Sequence, residues 1–318
     1  MFAPIAFFAL ILERLFGYPE AVFDRIGHPV QWQGWMIDRL ESRLNRPENS
    51  VMFRRFAGMA MLVALIAATL AAALAATTIT RLLPLGWLLD AAMASAFLAQ
   101  KHLGKAVREV ADGLDASLVA GREAVSHVVG RDPDQLDEGG VARAAIETLA
   151  ENASDGVIAP LFWLLVGGLP GIAIYKAVNT ADSMVGHRNA RFEAFGWASA
   201  RLDDVLNWIP ARLTALLFVA AAWVMPGADP GAAWTAAQRD APGHGSPNAG
   251  WPEAALAGAL GFALGGPRSY AGEVVDLPTM GRGRSAIGAR DIRAALRLYA
   301  LMLWLALGAV TLLALFAR

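Results

Sequence analysis

Long runs of uncharged residues place the strongest constraint on how this chain can fold. Residues 56–80 contain no charged side chain, and an arginine lies at each end of the run. Residues 298–317 form a second such run, again between two arginines. Because about 20 apolar residues suffice for a helix to cross the hydrocarbon core of a bilayer, both runs predict transmembrane helices. Composition agrees: 56% of the residues are hydrophobic and 17% are charged, whereas soluble domains carry about 25% charged residues.

A third apolar segment is long enough to span but is interrupted. Residues 156–175 contain Pro160, and residues 167–171 contain three glycines and a proline. A single span would separate the polar segments on either side of it, whereas a break with a re-entrant turn would keep them together. Non-helical backbone is tolerated at membrane depth where it is buried in protein. We therefore favour the broken or re-entrant form.

Four further apolar segments are short or irregular, and they are residues 1–12, 82–100, 213–228 and 254–267. The first lacks a basic start, which favours an uncleaved membrane segment over a signal peptide. The second would form a hairpin with the preceding span, although it contains Pro84, Gly86 and Asp90. The third is long enough only if its helix begins near Val205. The fourth is typical of a half-span or re-entrant piece.

These patterns predict an all-α, polytopic helical membrane protein with broken or re-entrant apolar segments and amphipathic cytoplasmic helices. Residues 1–318 would form a single integral-membrane domain, with polar segments 13–55, 101–155, 176–212 and 232–293 between the apolar segments. Alternating β-branched runs typical of strands are absent. The net charge of −1 gives no reason to expect a nucleic-acid partner, and the absence of cysteine excludes disulfides and thiolate metal sites.

Three carboxylates stand four residues apart directly before an uncharged run. They are Glu147, Glu151 and Asp155, and this spacing places them on one face of a helix. We call them the acid stripe. Acids on one face repel each other unless a cation lies among them, and we expect them near the C-terminal end of their helix, where the macrodipole disfavours negative charge. The acid stripe therefore predicts a bound metal ion or a cationic substrate group.

Two more polar clusters adjoin apolar runs. The first contains Lys176, Asn179, Asp182 and Ser183, and the second contains Arg201, Asp203, Asp204 and Asn207. Within them, Asp203 and Asn207 are four residues apart and share a helix face. Charged groups near hydrocarbon are costly, so they usually face a polar cavity and mark a functional site.

Each cluster also has a simpler explanation. Arg143 with Glu147, and Arg201 with Asp204, would form helix ion pairs worth about 0.2–0.5 kcal/mol. The asparagines would form hydrogen bonds between membrane helices. The occurrence of three clusters in one stretch of chain favours a site.

A further group of polar residues lies in a loop that glycine and proline fix. Residues 244–253 contain two of each, together with His244, Ser246, Asn248, Trp251 and Glu253. This crowding favours substrate binding, with His244 as a candidate general base; a lone loop histidine is otherwise commonly a solvent-exposed residue. No P-loop and no His-Glu-x-x-His spacing occurs, so neither a P-loop nucleotide site nor a zinc peptidase site of that kind is expected.

Several of these segments together resemble the cobalamin-biosynthesis adenosylcobinamide-phosphate synthase family of integral membrane proteins. The resembling segments are His28-Pro-Val, ETLAENASDGVIAPLFW at 147–163, YKAVNTADSMVG at 175–186, FGWASARLDDVLNWIPARL at 195–213 and HGSPNAGWPEAALAGA at 244–259. They follow the family's order and extend over nearly the whole chain. His187 is a small departure, because an aromatic residue such as tyrosine is expected there.

The resemblance implies an ATP-dependent ligase that joins aminopropanol or its O-phosphate, of which we favour the phosphate, to a carboxylate of adenosylcobyric acid. ATP and Mg²⁺ would then be the co-substrate and metal, and the corrinoid, the amino-alcohol phosphate and the lipid bilayer would be the partners. Other enzymes of the cobalamin pathway are candidate partners. The protein would be a multi-pass protein of the cell (inner) membrane, with its active site facing the cytoplasm.

Site roles follow as hypotheses. The catalytic candidates are Glu147, Glu151, Asp155, Asp182, Asp203 and His244. The Mg²⁺ ligand candidates are Glu151, Asp155, Asp182 and Asp203. The candidates for binding substrate or phosphate are Asn152, Lys176, Asn179, Ser183, Arg201, Asp204, Asn207, Ser246, Asn248, Trp251 and Glu253. Together these residues would form one ligation site.

Three other functions compete with ligation. A membrane prenyl- or phospho-alcohol transferase would also use acids with Mg²⁺, but favours repeated Asp-x-x-x-Asp spacing. A non-enzymatic membrane signalling or regulatory relative need not keep acids and asparagines together. A transporter would also use charged, broken helices. The joint presence of acids and asparagines favours catalysis.

Overall fold

The computed structural model describes residues 2–129, 134–266, 268–270, 273–275 and 278–316. The helices are α1 (Ala3–Phe16), α2 (Glu20–Ile26), α3 (Pro29–Leu44), α4 (Val51–Arg81), α5 (Gly86–Ser95), α6 (Gln100–Ala116), α7 (Leu118–Ser126), α8 (Glu138–Ala153), α9 (Ala159–Val185), α10 (Trp197–Val224), α11 (Pro230–Asp240), α12 (Gly250–Leu260) and α13 (Ala289–Phe316). The short strands are β1 (Leu264–Gly265), β2 (Arg268–Tyr270), β3 (Glu273–Val275) and β4 (Thr279–Met280). A π-helical turn, Ser154–Ile158, joins α8 to α9, and Ala241–Gly243 form a 3₁₀ turn after α11. The predicted all-α class is confirmed.

Four helical stretches among the described residues are long and apolar enough to cross a membrane, and they are Val51–Arg81, Glu138–Val185, Trp197–Val224 and Ala289–Phe316. The first contains the uncharged run 56–80, and the last contains residues 298–316 of the second run, whose residue 317 lies outside the described residues. The third begins before Val205, so segment 213–228 gains the length that it lacked. The predicted polytopic membrane architecture is confirmed.

Residues 82–100 supply a short helix and not a second full span. Helix α5 has 10 residues, which at 1.5 Å per residue cover about half of the hydrocarbon thickness. A side chain at Gly86 would collide with the carbonyl oxygen of Thr80. The Thr80 hydroxyl also donates a 2.8 Å hydrogen bond to Asp90 Oδ1. Gly86 and Asp90 thus fix α5 against the end of α4.

The stretch Glu138–Val185 is broken at Gly168. The φ of 62° and ψ of −152° of this residue are not helical, and such a conformation is accessible almost only to glycine. Gly171 packs directly against the carbonyl group of Trp163, which a straight helix would place roughly 12 Å away. The chain therefore turns back at Gly168, as the sequence predicts. Pro170 lies in the first turn after the break, where its missing N–H group costs no hydrogen bond.

Contacts divide the chain into two compact units. Unit 1 contains Met1–Ala99, Ala159–Asn207 and Val310–Arg318, and unit 2 contains Gln100–Ile158 and Trp208–Ala309. The prediction of a single integral-membrane domain stays a prediction.

In unit 1, α3 and α4 pack against α9 around an apolar core that includes fully buried Ile37 and Met61. His28 begins α3 as its N-cap. Its Nδ1 accepts a 3.2 Å hydrogen bond from the N–H of Val30, and the Gln31 side chain accepts a 3.0 Å bond from the N–H of His28. His28-Pro-Val thus has a structural role as a helix start.

In unit 2, α6 buries one apolar face that includes Leu103, Val107 and Val110, and exposes its charged face. Arg293 on α13 donates 2.7 Å hydrogen bonds to both Asp112 and Asp115. The predicted amphipathic character of segment 101–155 is confirmed for α6. The cytoplasmic location of these helices stays a prediction.

Also in unit 2, α11 and α12 pack through alanine and glycine. A Cβ atom at Gly258 would lie 2.8 Å from Ala233 Cα and Ala236 Cβ. Helix α12 ends at Leu260, and β1 then pairs antiparallel with β4. The described part of segment 254–267, residues 254–266, therefore contains most of a short buried helix followed by a strand, and residue 267 lies outside the described residues. The sequence did not predict this strand, because two residues are too few to show alternation.

Candidate functional site

A chain of hydrogen bonds in unit 1 joins α9 to α10. Lys176 Nζ donates to Asn179 Oδ1 at 2.9 Å. Asn179 Nδ2 donates to Asp203 Oδ1 at 3.3 Å, and Asn207 Nδ2 donates to Asp203 Oδ2 at 2.9 Å. The hydroxyl of Tyr175 donates to Asn207 Oδ1 at 2.9 Å. We call these five residues the Asp203 cluster.

The Asp203 cluster is largely closed to solvent. Asn207 is 1% exposed and Asp203 is 8% exposed. Amide groups donate to both carboxylate oxygens, as a buried carboxylate requires. The bond between Asp203 and Asn207 confirms the shared helix face that their spacing predicts, and α9 supplies the other partners.

Other predicted site residues of unit 1 lie around this cluster. The Ser183 hydroxyl donates a 2.9 Å bond to the backbone oxygen four residues earlier. Arg201 Nη1 lies 3.7 Å from Asp204 Oδ2, and the arginine side chain is 64% exposed, as expected for a simple helix ion pair. Asp182 is close enough to Asp203 for their charges to interact. The negative charges of Asp182 and Asp203 therefore repel each other.

In unit 2, the acid stripe extends from the interior to the surface. Glu147 is 6% exposed, and its Oε1 accepts a 2.7 Å hydrogen bond from the N–H of Gly265. Glu151 and Asn152 are exposed, whereas Asp155 is partly buried in the π turn. The Glu147 carboxylate therefore links α8 to β1 by a hydrogen bond, whereas the Glu151 side chain is exposed at the protein surface.

Glu147 and Glu151 lie in the last two turns of α8, as expected, but the negative helix end expected there is not present. The backbone continues from α8 through Ser154–Ile158 into α9, so the last carbonyl groups of α8 are not left as a negative end. The wider π turn also moves Asp155 off a strict four-residue stripe. The simple pair of Arg143 with Glu147 is not formed, because Arg143 Nη1 instead donates to Ser285 O at 2.8 Å.

The loop between α11 and α12 is fixed by short-range hydrogen bonds. The N–H of Ser246 donates to His244 Nδ1 at 3.0 Å. Nδ1 also lies 3.2 Å from the carbonyl oxygen of Ser246, so the nitrogen that carries the proton differs between the two neutral tautomers. Nε2 lies 3.8 Å from Oε1 of buried Glu253. The Ser246 hydroxyl accepts 3.2 Å bonds from the N–H groups of Asn248 and Ala249. His244 would act as a base through Nε2 in the tautomer in which Nδ1–H donates to Ser246 O, because Nε2 then carries a lone pair.

The helix that carries this loop is anchored at Asp240. Arg239 donates two 2.6 Å hydrogen bonds to its carboxylate, and the N–H of Gly281 donates one at 2.8 Å. Burial by itself would raise the pKa of Asp240. The hydrogen bonds, with the charges of Arg239 and Arg282, outweigh this effect and hold the pKa below its usual value.

Arg212 lies beside this loop in unit 2 and is not among the site residues predicted from the sequence. Its guanidinium carbon is 4.7 Å from the ring centre of Trp208 and 4.8 Å from that of Trp251. Its Nη1 donates to Asn248 Oδ1 at 2.8 Å. The signal was present, because Arg212 follows Trp208 by four residues. The tyrosine of the Asp203 cluster was also missed, although it lies within a segment that resembles the family.

The predicted metal ligands fit Mg²⁺ in their chemistry. Carboxylate oxygens are the ligands that Mg²⁺ prefers, and one or two of them usually suffice beside substrate phosphates and water. Within the described ranges, no three His, Asp or Glu side chains converge on one point. The oxygens of Asp203 keep lone pairs beyond their amide bonds. The assignment of Mg²⁺ to Glu151, Asp155, Asp182 and Asp203 stays a prediction.

A cavity of about 790 Å³ in unit 1 contains none of the predicted site residues. Apolar side chains of α1 to α5 form most of its wall, and Gln33 and Tyr18 are among the few polar residues there. Its size suits a small molecule. Its apolar lining does not suit the charged groups that ligation requires.

Sequence comparison identifies relatives over almost the whole chain. The family described as CobD/Cbib protein matches residues 6–299. Proteins named "Cobalamin biosynthesis protein CobD" from Rhizobium meliloti and Brucella suis are each 49% identical, and the matches cover 92% of this chain and 90% of theirs. A protein of that name from Rhodobacter capsulatus is 49% identical over 87% of this chain and 86% of its own. No solved structure matches the chain. The chain therefore belongs to the CobD/Cbib protein family.

Proposed function

We propose that the protein catalyses an ATP-dependent amide ligation in cobalamin biosynthesis. The reaction joins the amino group of aminopropanol O-phosphate to a propionate carboxylate of adenosylcobyric acid and gives adenosylcobinamide phosphate. Membership of the CobD/Cbib family and the names of the relatives support a biosynthetic role in this pathway. The proposal adds the substrates and the type of reaction.

The Asp203 cluster is the observation that carries the proposal. It gathers an ammonium group, two amides, a carboxylate and a phenol between two helices that are long and apolar enough to cross a membrane. Ionisable groups in membrane helices are costly and therefore mark functional sites. Lys176 supplies positive charge for phosphate, and Asn179 and Asn207 position the Asp203 carboxylate by donating hydrogen bonds to it.

The proposed chemistry has two steps, because a carboxylate is a poor electrophile. An oxygen of the corrinoid carboxylate attacks the γ-phosphorus of ATP, which forms an acyl phosphate and releases ADP. The neutral amine then attacks the acyl carbon, and inorganic phosphate leaves as the amide forms. The amine gives up its protons to a base, for which His244 is the candidate, with Glu253 beside Nε2.

Mg²⁺ would neutralise charge on the ATP phosphates when bound. Glu151 with Asp155, or Asp182 with Asp203, would supply its carboxylate ligands. The remaining acids would recognise the amine or orient neighbouring groups. Lys176 and Arg201 would hold phosphate oxygens.

The direct test is a ligation assay with the purified protein in lipid nanodiscs. ATP, Mg²⁺, adenosylcobyric acid and aminopropanol O-phosphate are supplied, and adenosylcobinamide phosphate and ADP are measured by mass spectrometry. We expect equal amounts of both products and none without ATP. Folded protein that forms no amide would contradict the proposal, and would favour a signalling relative or a transporter.

We further propose that the protein resides in the inner membrane with its site facing the cytoplasm, where ATP is available. The chain contains no cysteine, so single cysteines can replace exposed Asn152, His187 or Gly245. A membrane-impermeant maleimide should label all three only when the cytoplasmic face is accessible. Labelling in intact cells from outside would contradict this orientation.

A further inference from the structure

Arg212 places a charge within an apolar stretch of α10. Its guanidinium carbon lies over the rings of both Trp208 and Trp251, at 4.7 and 4.8 Å from the ring centres. Cation–π contacts of this kind hold a guanidinium in place and leave its edge as the surface for hydrogen bonding.

Among the described residues, only the Nη1 nitrogen of this guanidinium has hydrogen-bond partners. Nη1 donates to the carbonyl oxygen of Trp208 at 3.0 Å and to Asn248 Oδ1 at 2.8 Å. Across the part of the chain that the structure describes, no carboxylate lies within 4.0 Å of Arg212, and Nε and Nη2 donate no hydrogen bond. A partly buried cation without a counter-ion is costly, so this site favours an anionic ligand.

Ser246 supplies a second hydrogen-bond donor, and it contacts the same loop residue, Asn248. The Ser246 hydroxyl accepts hydrogen bonds from the N–H groups of Asn248 and Ala249, which leaves its own proton available to donate. Arg212 and Ser246 thus both contact Asn248. An arginine fork with a hydroxyl donor suits a group with three acceptor oxygens better than a two-oxygen carboxylate.

We propose that Arg212, held by its contacts with the rings of Trp208 and Trp251, binds a phosphoryl group together with Ser246. The phosphoryl group belongs either to the phosphate ester of the amino alcohol or to ATP. This inference rests on the proposed ligation for its substrates and assigns one of them to a site. It makes Arg212 a substrate-binding residue.

Binding is tested with wild type, Arg212→Met, Arg212→Lys and Ser246→Ala in nanodiscs. Arg297→Met serves as the matched control, because Arg297 is an exposed arginine on another transmembrane helix of unit 2. Dissociation constants are measured by calorimetry for inorganic phosphate, aminopropanol O-phosphate, ATP, unphosphorylated aminopropanol and adenosylcobyric acid.

Arg212→Met should weaken binding of one phosphoryl ligand by about 10–100-fold, as loss of a charged hydrogen bond implies. Arg212→Lys should give an intermediate loss, because it keeps the charge without the fork. Ser246→Ala should cost less than tenfold, and binding of unphosphorylated aminopropanol should not change. A loss confined to aminopropanol O-phosphate assigns the amine substrate, and a loss confined to ATP assigns the nucleotide.

The inference is overturned if Arg212→Met and Arg212→Lys bind every phosphoryl probe like wild type. It is also overturned if only adenosylcobyric acid binds more weakly, since the site would then recognise a carboxylate. Binding is measured without turnover, so absence of amide product in the wild type would count against ligation alone. Thermal denaturation of each variant confirms that the folded protein is compared, and Arg212→Lys provides the comparison if Arg212→Met does not fold.

Discussion

In unit 1, the Asp203 cluster is closed by hydrogen bonds between two helices, whereas in unit 2 the acid stripe runs outward along one helix. Each oxygen of Asp203 has an amide donor. In the acid stripe, only Glu147 is deeply buried, and Glu151 is exposed. The same sequence pattern, polar residues four apart beside an apolar run, therefore gives a buried cluster in unit 1 and a partly exposed row of acids in unit 2.

The difference comes from what faces each set of residues. Asn179 on α9 and Asn207 on α10 both donate to the Asp203 carboxylate, so its desolvation is balanced inside the protein. In α8, the π turn displaces Asp155, and Glu151 has no need of protein donors to satisfy it, because it is exposed. The closed cluster should therefore control both stability and activity, whereas the outer acid should control activity alone.

The largest effect is expected from Asp203→Ala. The change removes the acceptors of two buried amides, which should lower the free energy of unfolding by about 2–4 kcal/mol and abolish ligation. Thermal denaturation and amide formation are measured together. Val205→Ala on the same helix is the control, because Val205 is 69% exposed. Wild-type stability in Asp203→Ala would show that the cluster is not a closed network.

The next effect is expected at the break in α9, on which the geometry of unit 1 depends. Gly168→Ala should lower the free energy of unfolding by about 1–3 kcal/mol, because its φ is positive and its Cβ would lie 2.8 Å from the ring of Phe2. Gly167→Ala is a matched control, since a Cβ there meets nothing within 4 Å. Equal stability of the two variants would argue against the break.

Two acids of the same stripe should then behave differently. Glu147→Ala should destabilise unit 2 by about 1–3 kcal/mol, because the N–H of Gly265 loses its acceptor, and Glu147→Gln should restore most of this loss. Glu151→Ala should change stability by less than about 0.5 kcal/mol while reducing ligation strongly. If Glu151→Ala keeps full activity, the open acid has no role in the reaction.

The smallest effect is expected at Asp240 as pH falls. Its lowered pKa means that its ionised form stabilises the fold above the unfolded pKa of about 3.9, and that this contribution is lost below that pH, as the carboxylate of the folded state takes up a proton. The stability of wild type relative to Asp240→Asn should therefore decline below about pH 4, by no more than about 1 kcal/mol. A constant difference between pH 7 and pH 3 would contradict the assignment.

Much of the fold could be predicted from the sequence, because transmembrane helices depend on local composition. The run at residues 56–80 and the break at residues 167–171 carry their signals within a few turns of chain. The length of α5 could not be predicted in the same way. It depends on the tertiary contact of Gly86 with Thr80 and on the Asp90 hydrogen bond, which composition does not encode.

The candidate site could be predicted only where its partners lie on one helix. The spacing of Asp203 and Asn207 predicted their contact, but Tyr175 joins them from α9. The stacking of Arg212 on Trp251 likewise joins residues 39 positions apart. The π turn at Asp155 was not predicted because an inserted residue leaves no change in composition.

The close packing of α11 on α12 has a consequence for how the protein can evolve. Backbone contact at Gly258 and its alanine neighbours sets the separation of the two helices, so selection there acts on side-chain volume. The loop from His244 to Ala249 connects these two helices and does not set the distance between them. Substitutions in the loop can therefore change its polar groups while the framework is inherited unchanged.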